Sequence, residues 1–196
     1  MYLCLSQKTS DFNMHFSTLF THCPVCGSIK FTLNNVKSKR CESCDFVLYI
    51  NASAAVAAFI VNESGDLLVC KRGKEPEKGT LDLPGGFVDE NETAEEAVSR
   101  EIQEELGATV VSSKYLYSLP NTYEYSGLTT PTLDMFFACS LEETDRLKPS
   151  DDVEDCFFVP FAKLNPDLFG LKSIKRAVAL FLKEKKNPQP LEGEIK

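Results

Sequence analysis

Residues 85–108 read GGFVDENETAEEAVSREIQEELGA, and this stretch predicts a glycine turn followed by a capped helix. The two leading glycines follow a proline and allow a tight turn whose backbone amides are open to a ligand. Thr93 and Glu96 have the spacing of a capping box, which stabilises a helix N-terminus. Nearly every residue over 94–106 favours a helix, and Gly107 is typical of the position that ends one. We therefore predict a helix over residues 94–106 that begins close to the turn.

Three acids of this predicted helix, Glu101, Glu104 and Glu105, have the spacing i, i+3, i+4. Side chains at this spacing lie on one helix face, and three neighbouring carboxylates repel one another unless a cation lies among them. Oxygen ligands favour a hard ion, so Mg²⁺ or Mn²⁺ is predicted rather than zinc. The alternative is a solvated acidic face, the more common arrangement of clustered glutamates.

The wider pattern decides between these two interpretations. Gly86, Glu92 and the run REIQEELGA over residues 100–108 resemble, in order and spacing, the signature of the Nudix hydrolases. The one departure is Ala108, where that family usually carries a larger aliphatic residue, and it affects packing rather than metal binding. The resemblance implies an α/β (α+β) fold, namely an α/β/α sandwich of two mixed sheets between helices.

The resemblance also implies roles for single residues. The three helix glutamates would bind the metal, and an ion pair between Glu92 and Arg100 would hold the preceding loop against the helix. The turn formed by Gly85 and Gly86 would face the phosphates of a substrate. Nudix enzymes often use a further acid in the loop before the last strand. Here counting back from the strand aromatic gives Asp152, with Asp151 and Glu154 as alternatives.

Two CxxC pairs, Cys23–Cys26 and Cys41–Cys44, are separated by residues 27–40. Four thiolates in this pattern are typical of tetrahedral zinc, and the segment resembles a zinc ribbon. A rubredoxin-like iron site is the alternative, although the interval looks short for it. Disulfides are disfavoured because no secretory signal is apparent.

We predict four segments: an N-terminal extension over residues 1–21, the zinc ribbon over 22–50, a Nudix domain over 51–186 and a flexible tail over 187–196. The first two strands of the domain are predicted to form a hairpin, and residues 121–130 a hairpin tip or substrate loop. The predicted strands are 30–36, 46–49, 52–61, 67–71, 81–84, 110–119, 133–141 and 156–159, and a second helix is predicted over 171–185.

The 196 residues are 43% hydrophobic and 26% charged, which is typical of a globular protein. The net charge of −8 argues against a general binder of nucleic acid or of anionic membranes. No apolar run is long enough to cross a bilayer, and the N-terminus lacks a signal pattern. These features predict a cytoplasmic protein without a membrane partner, and they leave a homodimer open.

A zinc ribbon before a Nudix domain is similar to the arrangement in NADH pyrophosphatases, although the motif of that group is broken after Pro120. Tyr123 and Tyr125 are candidates for stacking on a base. We predict a metal-dependent hydrolase that cleaves the pyrophosphate of nucleoside diphosphates linked to another moiety, such as NADH or ADP-ribose. The rival is a binding protein in which basic ribbon residues dock RNA or protein and the Nudix fold acts as a sensor. Those basic residues are Lys30, Lys37, Lys39 and Arg40.

Overall fold

The computed structural model describes residues 16–125, 127–150 and 152–186, which form two compact units. The first unit contains the chain up to Ala52 together with Tyr123–Thr130, and the second contains Ser53–Thr122 and the chain from Pro131 onward. Residues 1–15 of the predicted extension and the predicted flexible tail lie outside the described residues. In the part of the chain that is described, every helix is too short or too polar to cross a lipid bilayer.

The first unit contains a three-stranded antiparallel sheet in the order β1-β2-β3. Its small core consists of Cys23, Phe31 and Cys41, with Phe46 and Leu48 packed against them. A core of this size is consistent with a segment that needs metal for stability. The elements are α1 (Phe16–Leu19), β1 (Phe31–Asn35), β2 (Ser38–Cys41) and β3 (Val47–Tyr49).

Two elements of this unit were not predicted. The strand β2 has the polar sequence SKRC, which carries no strand pattern, yet it pairs with both β1 and β3. The single helical turn α1 is held by Lys39, a buried residue of β2. Its Nζ donates to the carbonyl of Ser17 at 2.9 Å and to that of Phe20, directly after the helix, at 2.6 Å. The strand β2 depends on the strands directly before and after it in the chain, whereas α1 depends on Lys39, which is distant in sequence.

Apart from the ends of β7 and β8 that fall within Tyr123–Thr130, the second unit contains two three-stranded sheets, in the orders β4-β8-β7 and β6-β5-β9. In the first, β4 and β8 are parallel, from Ser53 opposite Thr132 to Ile60 opposite Cys139. The elements are β4 (Ser53–Ile60), β5 (Asp66–Arg72), β6 (Leu81–Asp82), α2 (Ala94–Leu106), β7 (Val110–Tyr125), β8 (Leu128–Leu141), β9 (Val153–Pro160) and α3 (Lys172–Lys186).

The two helices α2 and α3 cover opposite faces of the strands, so the predicted α/β/α sandwich is confirmed. Successive side chains of a strand point to opposite faces. Accordingly, Val56 and Ala58 of β4 pack in the core that contains α2, whereas Ala57 and Phe59 pack in the core that contains α3. Burial on both faces explains why β4 reads as a continuous apolar run.

The predicted hairpin between the first two strands of the domain is wrong. Only the bridge between Val61 and Leu67 joins them at their turn. Beyond that point β4 pairs with β8, and β5 pairs with β6 and β9. Both strands are apolar on two faces, but β4 is at the end of its sheet order, whereas β5 is the central strand of the other sheet. Residues 121–130 form strand almost to the tip of a hairpin, because β7 ends at Tyr125 and β8 begins at Leu128.

Candidate active site

The helix α2 spans Ala94–Leu106, as predicted, and its capping box is present. The Thr93 side chain accepts from the Glu96 backbone N–H, and the Glu96 carboxylate accepts from the Thr93 backbone N–H at 2.8 Å. Gly107 is left-handed and ends the helix. Among the three acids, Glu105 is buried, Glu101 is half-buried and Glu104 is exposed. The three acids of the helix therefore differ in their exposure to solvent, from buried to exposed.

The glycine turn, Gly85–Gly86, lies against two of these acids. The Gly85 backbone N–H donates to Glu105 Oε2 at 2.9 Å. A Cβ atom at Gly86 would lie 2.4 Å from Glu101 Oε1, so the Glu101 carboxylate occupies the space where other residues carry a side chain. The turn was predicted to offer its amides to a ligand. In the structure the Gly85 amide serves Glu105 instead, because a buried carboxylate needs a hydrogen-bond donor.

The two glycines of the turn predict different defects when each is replaced by alanine. At Gly85, whose φ is 149°, a Cβ atom would lie 2.1 Å from the Val56 backbone oxygen, so Gly85→Ala is expected to lower Tm strongly. At Gly86 the three atoms nearest to the new methyl group all belong to the Glu101 carboxylate, the end of a flexible side chain. Gly86→Ala is therefore expected to keep Tm within a few degrees while displacing Glu101 and lowering turnover. Calorimetry and a turnover assay on both variants check this, and equal Tm losses would contradict it.

Arg100 joins the loop before α2 to the acids of the helix. Its Nε and Nη2 donate to the two oxygens of Glu92 at 2.8 and 3.0 Å, and Nη2 also donates to the Phe87 carbonyl at 3.0 Å. Its Nη1 donates to Glu101 at 2.9 Å and to Glu104 at 3.1 Å. One guanidinium thus orients both carboxylates and fixes the loop, a geometry that the planar fork of arginine allows.

The Glu105 carboxyl is in an unusual electrostatic environment. Its burial raises its pKa to about 8, and the charges of Glu101, Asp82 and Asp152 act in the same direction, whereas the Gly85 N–H opposes them. Burial also raises the pKa of Glu101. Carboxyls that are buried together bind either protons or a cation. All of the donors are oxygens, so the residues that are present fit a hard divalent ion.

The raised pKa of Glu105 predicts how stability depends on pH without metal. The folded state holds its proton up to about pH 8, whereas the ordinary value is 4.5. The resulting stabilisation is complete below the ordinary value and is lost as the pH rises to about 8. Without metal, Tm is therefore expected to fall between about pH 5 and 8.5, and Mg²⁺ should raise Tm more at pH 8.5 than at pH 5.5. Scanning calorimetry with Glu105→Gln as control checks this, since that variant should lose most of both effects.

Asp152, the predicted further acid, lies near this group, because its charge is among those that raise the pKa of Glu105. Its carboxylate forms an ion pair with Lys74, and its backbone oxygen accepts from the Gly73 N–H at 2.7 Å. The alternative Glu154 pairs with Lys71 at 2.9 Å, and Asp151 lies outside the described residues. Of the two acids, Asp152 is the one whose charge acts on Glu105, and its role as the further acid remains a prediction.

Sequence reasoning missed Asp82, which is buried in β6 and also acts on Glu105. It forms an ion pair with Arg72, whose Nε donates to the Pro76 carbonyl at 2.8 Å. Arg72 therefore holds the loop after β5 in place. The sequence signal that could have indicated Asp82 is its position as an acid between two apolar residues, Leu81 and Leu83.

The two tyrosines proposed for base stacking lie at the end of β7. Tyr123 is half-buried, and the side chain of Tyr125 is outside the described part of the chain. Their stacking role remains a prediction.

Among the basic residues of the rival interpretation, Lys39 is buried, and Arg40 forms an ion pair with Asp45 at 2.8 Å. Burial makes Lys39 unavailable for nucleic-acid docking, whereas Lys30 and Lys37 are exposed.

The four ribbon cysteines form a compact cluster in which all of the Sγ atoms lie within 4.8 Å of one another. Cys23 and Cys44 are 3.7 Å apart, and Cys26 and Cys41 are 3.5 Å apart. These separations exclude disulfides and match a tetrahedron of thiolates around zinc. Burial raises the pKa of Cys41, but hydrogen bonds from the backbone at Ser43 and Cys44 outweigh it and lower the pKa to about 6.

Known proteins match the part of the chain that contains α2 and its acids. The sequence model of the NUDIX domain matches residues 52–181. An ADP-ribose pyrophosphatase of Methanocaldococcus jannaschii is 45% identical over 76 residues, which cover 38% of this chain and 44% of that protein. The NAD-capped RNA hydrolase NudC of Deinococcus radiodurans is 29% identical over 106 residues, which cover 53% of this chain and 38% of that protein. The matches thus span less than half the length of either relative.

A solved structure confirms the fold over most of the chain. The crystal structure of a NUDIX hydrolase from Nitrosomonas europaea superposes with a TM-score of 0.66 at 22% identity. It covers 87% of this chain and 94% of its own. At this identity the likeness shows the fold alone.

Proposed function

Because this chain belongs to the Nudix family, we propose that it is a divalent-metal-dependent hydrolase of nucleoside diphosphates linked to another moiety. The bond that it cleaves is the pyrophosphate, and the substrate class resembles NADH and ADP-ribose. Two relatives support this class by name, one an ADP-ribose pyrophosphatase and the other an NAD-capped RNA hydrolase. A small-molecule substrate of this kind also fits the acidic chain better than nucleic acid does.

The observation that carries the proposal is the contact between the glycine turn and two acids of α2. Glu105 accepts from the Gly85 amide at 2.9 Å, and the Glu101 carboxylate fills the space beside Gly86. A substrate phosphate that approached this turn would meet the carboxylates directly. Like charges would repel it without a cation, so the same geometry that holds the acids also calls for a metal.

Glu101, Glu104 and Glu105 would hold Mg²⁺ or Mn²⁺, and such ions supply charge neutralisation and a lower pKa for a bound water. Arg100 orients Glu101 and Glu104, and Glu92 anchors Arg100. The burial of Glu105 keeps its carboxylate in one position, where Gly85 donates to it. Asp152 would assist as a further acid that helps remove the proton of the attacking water.

The four cysteines Cys23, Cys26, Cys41 and Cys44 would hold one structural Zn²⁺. The cluster geometry supports zinc, and the spacing of the two knuckles favours it over iron. We also propose a cytoplasmic location. None of the seven described cysteines forms a disulfide, which is typical of a reducing compartment.

A substrate panel tests the proposed activity. The panel contains NADH, ADP-ribose, diadenosine polyphosphates and nucleotide sugars, with Mg²⁺, and products are identified by chromatography. We expect hydrolysis of several adenosine diphosphate derivatives with AMP as a common product and no turnover in EDTA. Exclusive hydrolysis of a non-nucleotide pyrophosphate would overturn the substrate class, and metal-independent turnover would overturn the mechanism.

A further inference from the structure

A buried polar cluster lies on the sheet face that α3 covers. Asp134 of β8 is 6% exposed and accepts hydrogen bonds from Asn121 Nδ2 at 3.1 Å and from Thr132 Oγ1 at 2.6 Å. Ser173, in the first turn of α3, donates to the same carboxylate. Thr132 and Ser173 are also buried. None of these residues belongs to the proposed metal site.

Asn121 has one hydrogen-bonding atom that the cluster does not use. Its Nδ2 donates to Asp134, which assigns Oδ1 as an acceptor. Among the described residues, Asn121 Oδ1 is the buried side-chain atom that has no hydrogen-bond partner. A buried acceptor without a donor is unfavourable, and native proteins normally supply one. A ligand that carries an N–H group would satisfy it.

The cluster is connected to the glycine turn by one row of residues across the sheet. Ala55 of β4 is opposite Asp134 in the parallel register and opposite Phe87 in an antiparallel bridge. Residues that are paired in this way place their side chains on the same face. Phe87 directly follows Gly86 and is 41% exposed. Because neighbouring strands are about 4.8 Å apart, Phe87 and Asp134 are separated by roughly 10 Å across the small side chain of Ala55.

We propose that Asn121 and Asp134 recognise the base of the substrate and select a ring that carries an exocyclic amino group, as adenine does. The inference rests on the proposed function and deepens it. A pyrophosphate at the Gly85–Gly86 turn has its attached nucleoside within reach of this row. The base would then lie over Ala55, beside Phe87 and against the polar cluster.

The selectivity follows from the chemistry of the two side chains. Asn121 Oδ1 and the Asp134 carboxylate present acceptors, so they fit a ring amine, which has two N–H donors. A ring that has a carbonyl oxygen at the same position presents another acceptor and would be repelled. Sites built around hydrogen bonds reject analogues that lack the matching group far better than apolar pockets do.

The test compares AMP with IMP, which has a carbonyl in place of the ring amine. Calorimetric titration of the full chain with Mg²⁺ should show AMP binding about tenfold more tightly than IMP, the effect of about one hydrogen bond. Asn121→Ala should reduce this ratio to about one, mainly through weaker AMP binding. Asn62→Ala is the matched control, because it removes the same amide from the turn at the opposite end of β4, where Asn62 Oδ1 accepts from the Asp66 N–H.

Equal binding of AMP and IMP to the unaltered chain would overturn the inference, as would an unchanged ratio in Asn121→Ala. Equal binding would mean that water, rather than a base, satisfies Asn121. Failure of the proposed function is visible separately, because it would appear as absent hydrolysis of NADH and ADP-ribose. A chain that hydrolyses these substrates without discriminating AMP from IMP would retain the function and refute the base site.

Discussion

Glu104→Gln lowers the turnover of the best substrate by about a hundredfold or more while the fold remains intact. Glu104 is the most exposed acid of the group and contacts Arg100 Nη1 at 3.1 Å, so its loss removes one charged ligand without leaving a buried cavity. Glutamine has nearly the same size and helix propensity. Steady-state kinetics at saturating Mg²⁺ provide the measurement, and circular dichroism verifies the helix.

The matched control is Glu95→Gln. Glu95 is an exposed acid in the first turn of the same helix, away from the metal face, so the change in charge is identical. Its turnover should stay within about twofold of the unaltered chain, since exposed surface changes have small effects. Near-normal turnover by Glu104→Gln would refute the assignment of the metal helix. An equal loss in both variants would point to net charge rather than to ligation.

Cys41→Ser releases the zinc ion and loosens the ribbon. Cys41 is fully buried in the small core of the first unit and has Cys26 Sγ at 3.5 Å. A serine oxygen is a poor replacement for a thiolate, and in small zinc segments the free energy of metal binding is largely folding free energy. We expect one zinc per chain in the unaltered protein, less than about a tenth of that in the variant, and rapid proteolysis within residues 22–50.

Ser43→Ala serves as its control, because Ser43 lies between two ligands and its Oγ contacts Ser28 rather than the sulfur cluster. This variant should retain zinc and protease resistance. If elemental analysis finds iron instead of zinc in gently purified protein, the assignment of the ion is wrong, but the four cysteines still form a metal site. A chain that holds neither metal, or a Cys41→Ser variant with full zinc content, would disprove the site.

Local signals predicted the bounds and caps of helix α2 well. Thr93, Glu96 and Gly107 act through contacts within a few residues, so the helix they delimit needs no information from the rest of the chain. The spacing of Glu101, Glu104 and Glu105 likewise places them on one face of any helix. The two CxxC knuckles are equally local, since each closes on itself through a turn, with Gly27 N–H donating to Cys23 and Asp45 N–H to Cys41.

The partners of these local elements were decided by tertiary structure. The order of strands depends on pairing between distant segments. The apolar sequence of β4 therefore does not indicate whether β5 or β8 pairs with it. The strand pattern also failed at β2, whose polar residues are paired on both sides by its neighbouring strands. A helical turn was not predicted at α1, which is stabilised by the distant Lys39.

By itself, therefore, the sequence determined the family, the acidic helix face, the glycine turn and the two CxxC pairs, because each depends on spacing along the chain. Only the tertiary structure directed the Gly85 amide to Glu105, brought the charges of Asp82 and Asp152 close to it, and placed the Asn121 amide against Asp134. These arrangements join residues from different strands and loops. Their physical cause is burial, since a carboxylate or amide removed from water must find a partner wherever the fold places one.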